Sequence, residues 1–180
     1  MSVRPEILIR PMRLEDLDQV SAIDQLSFSL PWPKSAFRYE LVDNPLSLLF
    51  VAEAVQLDGT PQVIGVIVTW LILDEAHIAT IAVHPDYRGL DVGGELIAIC
   101  LQEAVRRRAR TATLEVRAGN QPAQALYRRF QFQVVGRRPR YYRDNNEDAL
   151  IMTVEPLDRA YREWLDGRRW MREAKDLPEN

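Results

Sequence analysis

The sequence predicts an α/β fold in which a mixed sheet carries helices on its faces. Three observations lead there. Three apolar runs of strand-like length, 47–54, 62–70 and 75–83, follow one another. The first two are separated by Gln56-Leu57-Asp58-Gly59-Thr60-Pro61, a turn-rich linker suited to a hairpin. Over residues 94–108, Leu96, Ile97, Cys100, Leu101, Ala104 and Val105 then mark one face of a helix.

The remaining elements complete the order β-α-α-β-β-β-α-β-α-β-β. Ile7-Leu8-Ile9-Arg10 reads as the first strand. Over 14–28, Leu17, Val20, Ile23 and Leu26 fall at helical spacing, with Glu15 and Asp16 at the positive end of that helix. Phe28-Ser29-Leu30-Pro31-Trp32-Pro33 is a turn, because two prolines rule out a continuous helix. A second helix carries Phe37 and Leu41 and stops near Asn44-Pro45. After the long helix come a strand at 111–116, a helix at 122–129 and two closing strands at 133–138 and 149–154. The main domain is expected to span 1–157, with 158–180 as a C-terminal tail. In that tail Leu157, Tyr161, Trp164 and Leu165 form one helical face, expected to dock in cis, and the last ten residues are polar and expected to fray.

Composition narrows the function classes. With 180 residues, 47% of them apolar and 27% charged, the chain suits one soluble domain. A formal net charge of -3 argues against a general nucleic-acid binder. The single cysteine, Cys100, cannot form an intrachain disulfide and reads as a buried core thiol. No apolar signal core or membrane-length run is visible, so a cytoplasmic location is expected, as a monomer or homodimer. His77 and His84 lack ligand-like company, and no metal site is expected.

The chemistry concentrates in two segments. His84-Pro85-Asp86-Tyr87-Arg88-Gly89-Leu90-Asp91-Val92-Gly93-Gly94 lies between a strand and a helix. Glycines at a helix N-terminus let backbone amides approach an anion, and the helix dipole favours phosphate oxygens. An ordinary strand-to-helix turn would read the same way. The loop lacks the Gly-Lys-Ser/Thr of a Walker loop and the full dinucleotide fingerprint. Further on, Leu114-Glu115-Val116-Arg117-Ala118-Gly119-Asn120 ends a strand, and Ala123-Gln124-Ala125-Leu126-Tyr127 lies on the next helix. Glu115 is costly to bury in an apolar strand and should face a polar cleft, where Tyr127 can bring a phenol. The two suit a base and an acid, or equally a salt-bridged Glu and a core-edge Tyr.

Together these segments resemble the GNAT superfamily, and more closely its RimI-type ribosomal-protein-alanine N-acetyltransferases. The resemblance runs from Ile7 to Leu157. It rests on Phe28-Ser29-Leu30-Pro31-Trp32, on Glu75-Ala76-His77-Ile78-Ala79-Thr80-Ile81-Ala82-Val83, on the 88–94 loop and on the spacing of Leu-Glu-Val-Arg, Asn120 and Ala-Leu-Tyr. It implies a sheet that is mostly antiparallel, flanked by helices and splayed at its central strands. Acetyl-CoA would then be the co-substrate, lying along Ile81, Ala82 and Val83. Its pyrophosphate would be surrounded by Arg88, Gly89, Leu90, Asp91, Val92, Gly93 and Gly94, with Asn120 and Ala123 alongside. Glu115 would accept a proton from the attacking amine and Tyr127 would protonate the leaving thiolate. Phe28 and Trp32 would face Tyr141 and Tyr142 across a groove for a protein N-terminus, that of a ribosomal protein. The same resemblance leaves room for a small amine or a lysine as acceptor, or for a weakly active or non-catalytic acyl-CoA-binding module.

Two positions depart from the family pattern. Asp91 replaces a glycine of the pyrophosphate loop. Aspartate tolerates left-handed backbone angles, but a like charge 4 Å away costs roughly 4 kcal/mol at an effective dielectric of 20, less if the carboxylate turns into water. Weakened cofactor affinity is therefore expected. In Arg128-Arg129-Phe130-Gln131-Phe132, Gln131 replaces the glycine that helps end the helix, so strain or an altered cap is expected. The four arginines of Arg137-Arg138-Pro139-Arg140-Tyr141-Tyr142-Arg143 favour an acidic or phosphate-bearing partner, or else line a solvated hairpin. Arg106-Arg107-Arg108 is accounted for by the dipole of the helix it ends.

Overall fold

The apolar runs and helical faces form in the predicted order, and the tail adds one more helix. The computed structural model describes residues 5–56 and 58–173. Its strands are β1 (Ile7–Pro11), β2 (Ser47–Val55), β3 (Pro61–Ile72), β4 (Glu75–Val83), β5 (Thr111–Arg117), β6 (Gln133–Tyr142) and β7 (Glu147–Val154). Its helices are α1 (Leu17–Ser27), α2 (Lys34–Val42), α3 (Val92–Arg106), α4 (Gln121–Arg128) and α5 (Arg159–Glu173). One sheet runs β1-β2-β3-β4-β5-β7-β6. Every neighbouring pair is antiparallel except β4 and β5, whose parallel pairing requires the crossover that α3 supplies.

β3 lies mid-sheet with both faces covered, which is why its run shows little alternation. Ile64 and Ile67 join the cluster beneath α3, while Val63, Val66 and Val68 join Val20, Ile23 and Phe37 from α1 and α2. Leu26 departs from expectation and is 57% exposed. At 100° per residue, each three-residue step drifts by about 60°, so Leu26 ends up roughly opposite Leu17. Asp24, seven residues after Leu17, returns to the buried face and is fully enclosed.

The tail packs in cis. Leu157, Tyr161 and Leu165 are buried in the same cluster as α3. The Tyr161 hydroxyl donates to the Phe130 carbonyl at 2.9 Å, and Gln102 on α3 donates to Asp166 at 3.0 Å. The helix extends to Glu173. Residues 174–180 lie outside the described ones.

Candidate active site

The site starts from a gap in the sheet. β4 pairs with β5 only over Glu75–Ile78 and Thr111–Leu114, although both strands run on. The cause is a bulge opposite Val68 and Thr69, where Thr80 and Ile78 are successive partners and Ala79 is passed over. Beyond it the strands diverge. The His84 amide donates towards β3, to the Ile64 carbonyl at 2.8 Å. Alternation along the strand therefore turns the amides of Val83 and Ile81 into the gap. A cleft of about 520 Å³ opens there, lined by Ile81, Val83, Gly93, Asn120, Ala123 and Tyr127 among others. Phe28, Trp32, Glu115 and Tyr142 line it too.

Of the predicted residues in the loop into α3, only Gly93 lines this cleft; Arg88, Gly89, Leu90, Asp91, Val92 and Gly94 do not. Ala82 and Val92 bury their side chains in the core, so only their main chain can serve a ligand. Gly89 has φ +79°, and a Cβ on Gly93 would meet Leu126 at 3.1 Å, so the approach beside α3 depends on glycine there. Arg88 is folded back, its Nε donating to the Val83 carbonyl at 3.3 Å. Leu90 packs against the α3-side core. Asp91 adopts the left-handed conformation the sequence allows it, φ 62° and ψ 21°, immediately before α3. Its charge does not stand alone: Arg129 holds both carboxylate oxygens at 2.8 Å. Gly94 leaves room for this carboxylate, which a Cβ there would strike. The charge expected to repel a phosphate is thus paired with a neighbouring cation.

Glu115 has the polar setting its strand position demanded. Its carboxylate meets His77 Nε2 at 3.0 Å and the Arg138 guanidinium at 3.3 Å, with the side chain 13% exposed. The His77 ring packs on Trp70, with centroids 5.5 Å apart, and Trp70 stacks on Trp32 at 6.4 Å. Trp70 in turn donates to the buried Glu40 at 2.9 Å. His77 was not singled out in the sequence for any role at this site; its proximity to Glu115 follows from the parallel β4–β5 register, which local spacing does not encode. Tyr127 is buried, and burial pushes its phenol well above the ordinary tyrosine range, so it stays protonated and able to donate. Asn120 uses its side-chain oxygen to cap α4, accepting from the Ala123 amide at 3.2 Å.

The two walls of the groove are tied together. Trp32 is fixed by its amide, which donates to Asp24 Oδ2 at 2.7 Å. Ser29 hydrogen-bonds Asp144, which also pairs with Arg117 at 2.8 Å. Arg117 further pairs with Glu147 at 3.1 Å and lies 3.9 Å above the Tyr142 ring. Burial pushes the Tyr142 phenol up to about 12. Tyr141 does not join the cleft lining; it is 46% exposed, edge-on to Tyr142. The arginine-rich strand is less of a free basic patch than its composition implied, because Arg137 pairs with Asp148 at 2.6 Å and Arg138 with Glu115.

A sheet whose parallel central strands part, with backbone amides facing the gap and a helix N-terminus beside it, is the arrangement of an acyl-CoA-dependent acyltransferase fold. The chain matches the Acetyltransferase (GNAT) family over residues 17–132 and belongs to it. It is an acetyl-CoA-dependent N-acetyltransferase of that fold. It is 41% identical over 152 residues, 84% of this chain and 97% of the other, to the Bacillus subtilis (strain 168) protein named "Putative ribosomal protein bS18-alanine N-acetyltransferase". The crystal structure of the ribosomal-protein-S18-alanine N-acetyltransferase from Escherichia coli superposes with a TM-score of 0.73 at 31% identity, covering 84% of this chain and 94% of that one. The NatC complex bound to Gag peptide and CoA matches with a TM-score of 0.73 at 26% identity, covering 83% and 98%. Among the described residues, no group of His, Cys, Asp or Glu is placed to hold a metal ion, and no helix is long and apolar enough to cross a membrane.

Proposed function

We propose that this protein acetylates the N-terminal α-amino group of a ribosomal protein, at alanine, with Glu115 as proton acceptor and Tyr127 as proton donor. The observation that carries the reading is the meeting of the Glu115 carboxylate and the buried Tyr127 phenol on one cleft at the strand gap. Relatives named for the same reaction support the choice of acceptor.

Acetyl-CoA supplies the activated thioester. The Ile81 and Val83 amides orient it, and an amide aimed at the thioester carbonyl is worth ~3–4 kcal/mol to the transition state in comparable sites. Gly89, Gly93, Gly94 and the first amides of α3 hold the pyrophosphate, with Arg88 beside them. Asn120 hydrogen-bonds the cofactor, and Ala123 keeps the channel narrow. An α-amino group, with a pKa near ~8, is partly neutral near pH 7, whereas a lysine near ~10.4 is almost wholly charged. A carboxylate therefore suffices as proton acceptor for a chain terminus, and His77 holds that of Glu115 towards it. Tyr127 protonates the departing thiolate. Phe28, Trp32 and Tyr142 grip the first residues of the peptide, with Tyr141 at the outer rim. Residues 1–157 form the catalytic domain and 158–180 a C-terminal addition, and the setting is the cytoplasm, where ribosomal proteins are made.

The test is turnover of acetyl-CoA with alanine-terminated ribosomal-protein peptides, Nα-blocked lysine peptides and polyamines, using Glu115→Gln as control. Turnover confined to free N-termini and lost in the variant is expected. Preference for lysine or polyamine, or CoA binding without turnover of any peptide, would overturn the proposal.

A further inference from the structure

Asp91 and Arg129 are 38 positions apart and belong to no motif in common, yet they form a two-pronged ion pair at the mouth of the pyrophosphate loop. Both ends are held by the backbone. Asp91 sits in a left-handed conformation directly before α3, its carboxylate against Gly94. Arg129 lies in the turn that ends α4, where the Phe132 amide reaches the Tyr127 carbonyl at 3.2 Å and the Gln131 amide reaches that of Arg128 at 3.0 Å. These two bonds, with Gln131 at φ +67°, make a Schellman cap in which glutamine occupies the position glycine usually takes. The Phe130 carbonyl in the same turn receives the Tyr161 hydroxyl from α5. The guanidinium is thus delivered to Asp91 from a turn fixed by two independent contacts.

We infer that Arg129 is a positioning residue for the pyrophosphate: it acts as the built-in counter-ion of Asp91, so that Asp91 adds no uncompensated charge to that of Glu95 in the first turn of α3, whose amides face the phosphates. This rests on the reading of the loop as the acetyl-CoA pyrophosphate site. A helix N-terminus attracts phosphate through partial charges that one uncompensated carboxylate nearby cancels. Cofactor affinity then follows the charge of the pair. It is neutral in the native chain and in the double variant, negative in Arg129→Gln and positive in Asp91→Asn. Asparagine tolerates the left-handed conformation, so the loop keeps its shape in the last of these.

The experiment is calorimetric titration of CoA into the full chain, the two single variants and Asp91→Asn/Arg129→Gln, with thermal melts alongside. Arg129→Gln is expected to weaken CoA binding about 10- to 30-fold, roughly 1.4–2 kcal/mol. Asp91→Asn is expected to tighten it several-fold, and the double variant to return near the native value. The Arg129→Gln deficit should shrink as salt rises. If the pair merely fastened α3 to α4, all three variants would bind equally weakly; that result overturns the inference. So does a double variant as weak as Arg129→Gln, which would place the guanidinium on the phosphates itself. Absence of CoA binding by the native chain would overturn the acetyltransferase reading as well, and is thereby distinguished from failure of the counter-ion alone.

Discussion

Replacing Tyr161 measures how firmly the C-terminal helix is built into the enzyme. Its ring is 6% exposed within the α3-side cluster, and its hydroxyl donates to the Phe130 carbonyl at 2.9 Å. Tyr161→Phe keeps the ring and removes one hydrogen bond, a loss of about 1 kcal/mol. For a chain of this size that lowers Tm by roughly 2–4 °C. Tyr161→Ala also removes the buried ring, and large-to-small aromatic changes in cores cost about 3–5 kcal/mol, or roughly 6–20 °C. Urea unfolding followed by far-ultraviolet circular dichroism reads both values. The order native, Phe, Ala is expected, with the larger step between Phe and Ala. A loss under about 1 kcal/mol for Tyr161→Ala would refute the docking of α5, since an undocked helix exposes this ring at no cost.

Three further outcomes follow from the same coordinates. Gln131→Gly relieves a left-handed cost of about 1–2 kcal/mol against a backbone-entropy penalty of about 0.5–1 kcal/mol, so Tm should rise slightly, and a fall would show that the glutamine side chain is needed. His77→Ala removes the imidazole that holds Glu115 and should lower kcat about 10- to 100-fold while CoA affinity is kept; an unchanged kcat would take His77 out of the mechanism. Asp24 is enclosed, and one of its oxygens has no hydrogen-bond partner. Burial raises its carboxyl above the ordinary range, opposed by the Trp32 amide. The folded state therefore binds this proton more tightly than the unfolded chain does, and stability falls as pH rises from about 3.9 through the folded value. Asp24→Asn should abolish that contribution and leave the protein more stable at neutral pH, while an unchanged pH profile in unfolding would count against it.

Much of this was legible in the chain because it is local. Apolar runs of strand-like length located β2, β3 and β4, helical spacing located α3, and two prolines separated α1 from α2. The positive φ at Asp91 and Gln131 falls where the resembled family carries glycine. The motif around Leu114, Glu115 and Asn120 marked the cleft because a carboxylate in an apolar strand must find a polar exit. Leu26 shows the limit even of local reading, since a small angular drift carried it off the buried face.

What only the tertiary structure decided are the meetings between distant segments. The pairing of His77 with Glu115 depends on the parallel β4–β5 register, and a shift of one residue would turn either side chain to the opposite face. The strand gap depends on a bulge at Ala79 that leaves no mark in composition. Asp91, read alone, is an uncompensated charge; the end of α4 supplies Arg129 as its ion-pair partner. Periodicity and backbone preference are written residue by residue, whereas register, crossover and counter-ion are settled only when the helices and strands pack. For that reason the sequence determined that this is an acetyltransferase fold, and the packing decided which charges the loop before α3 presents.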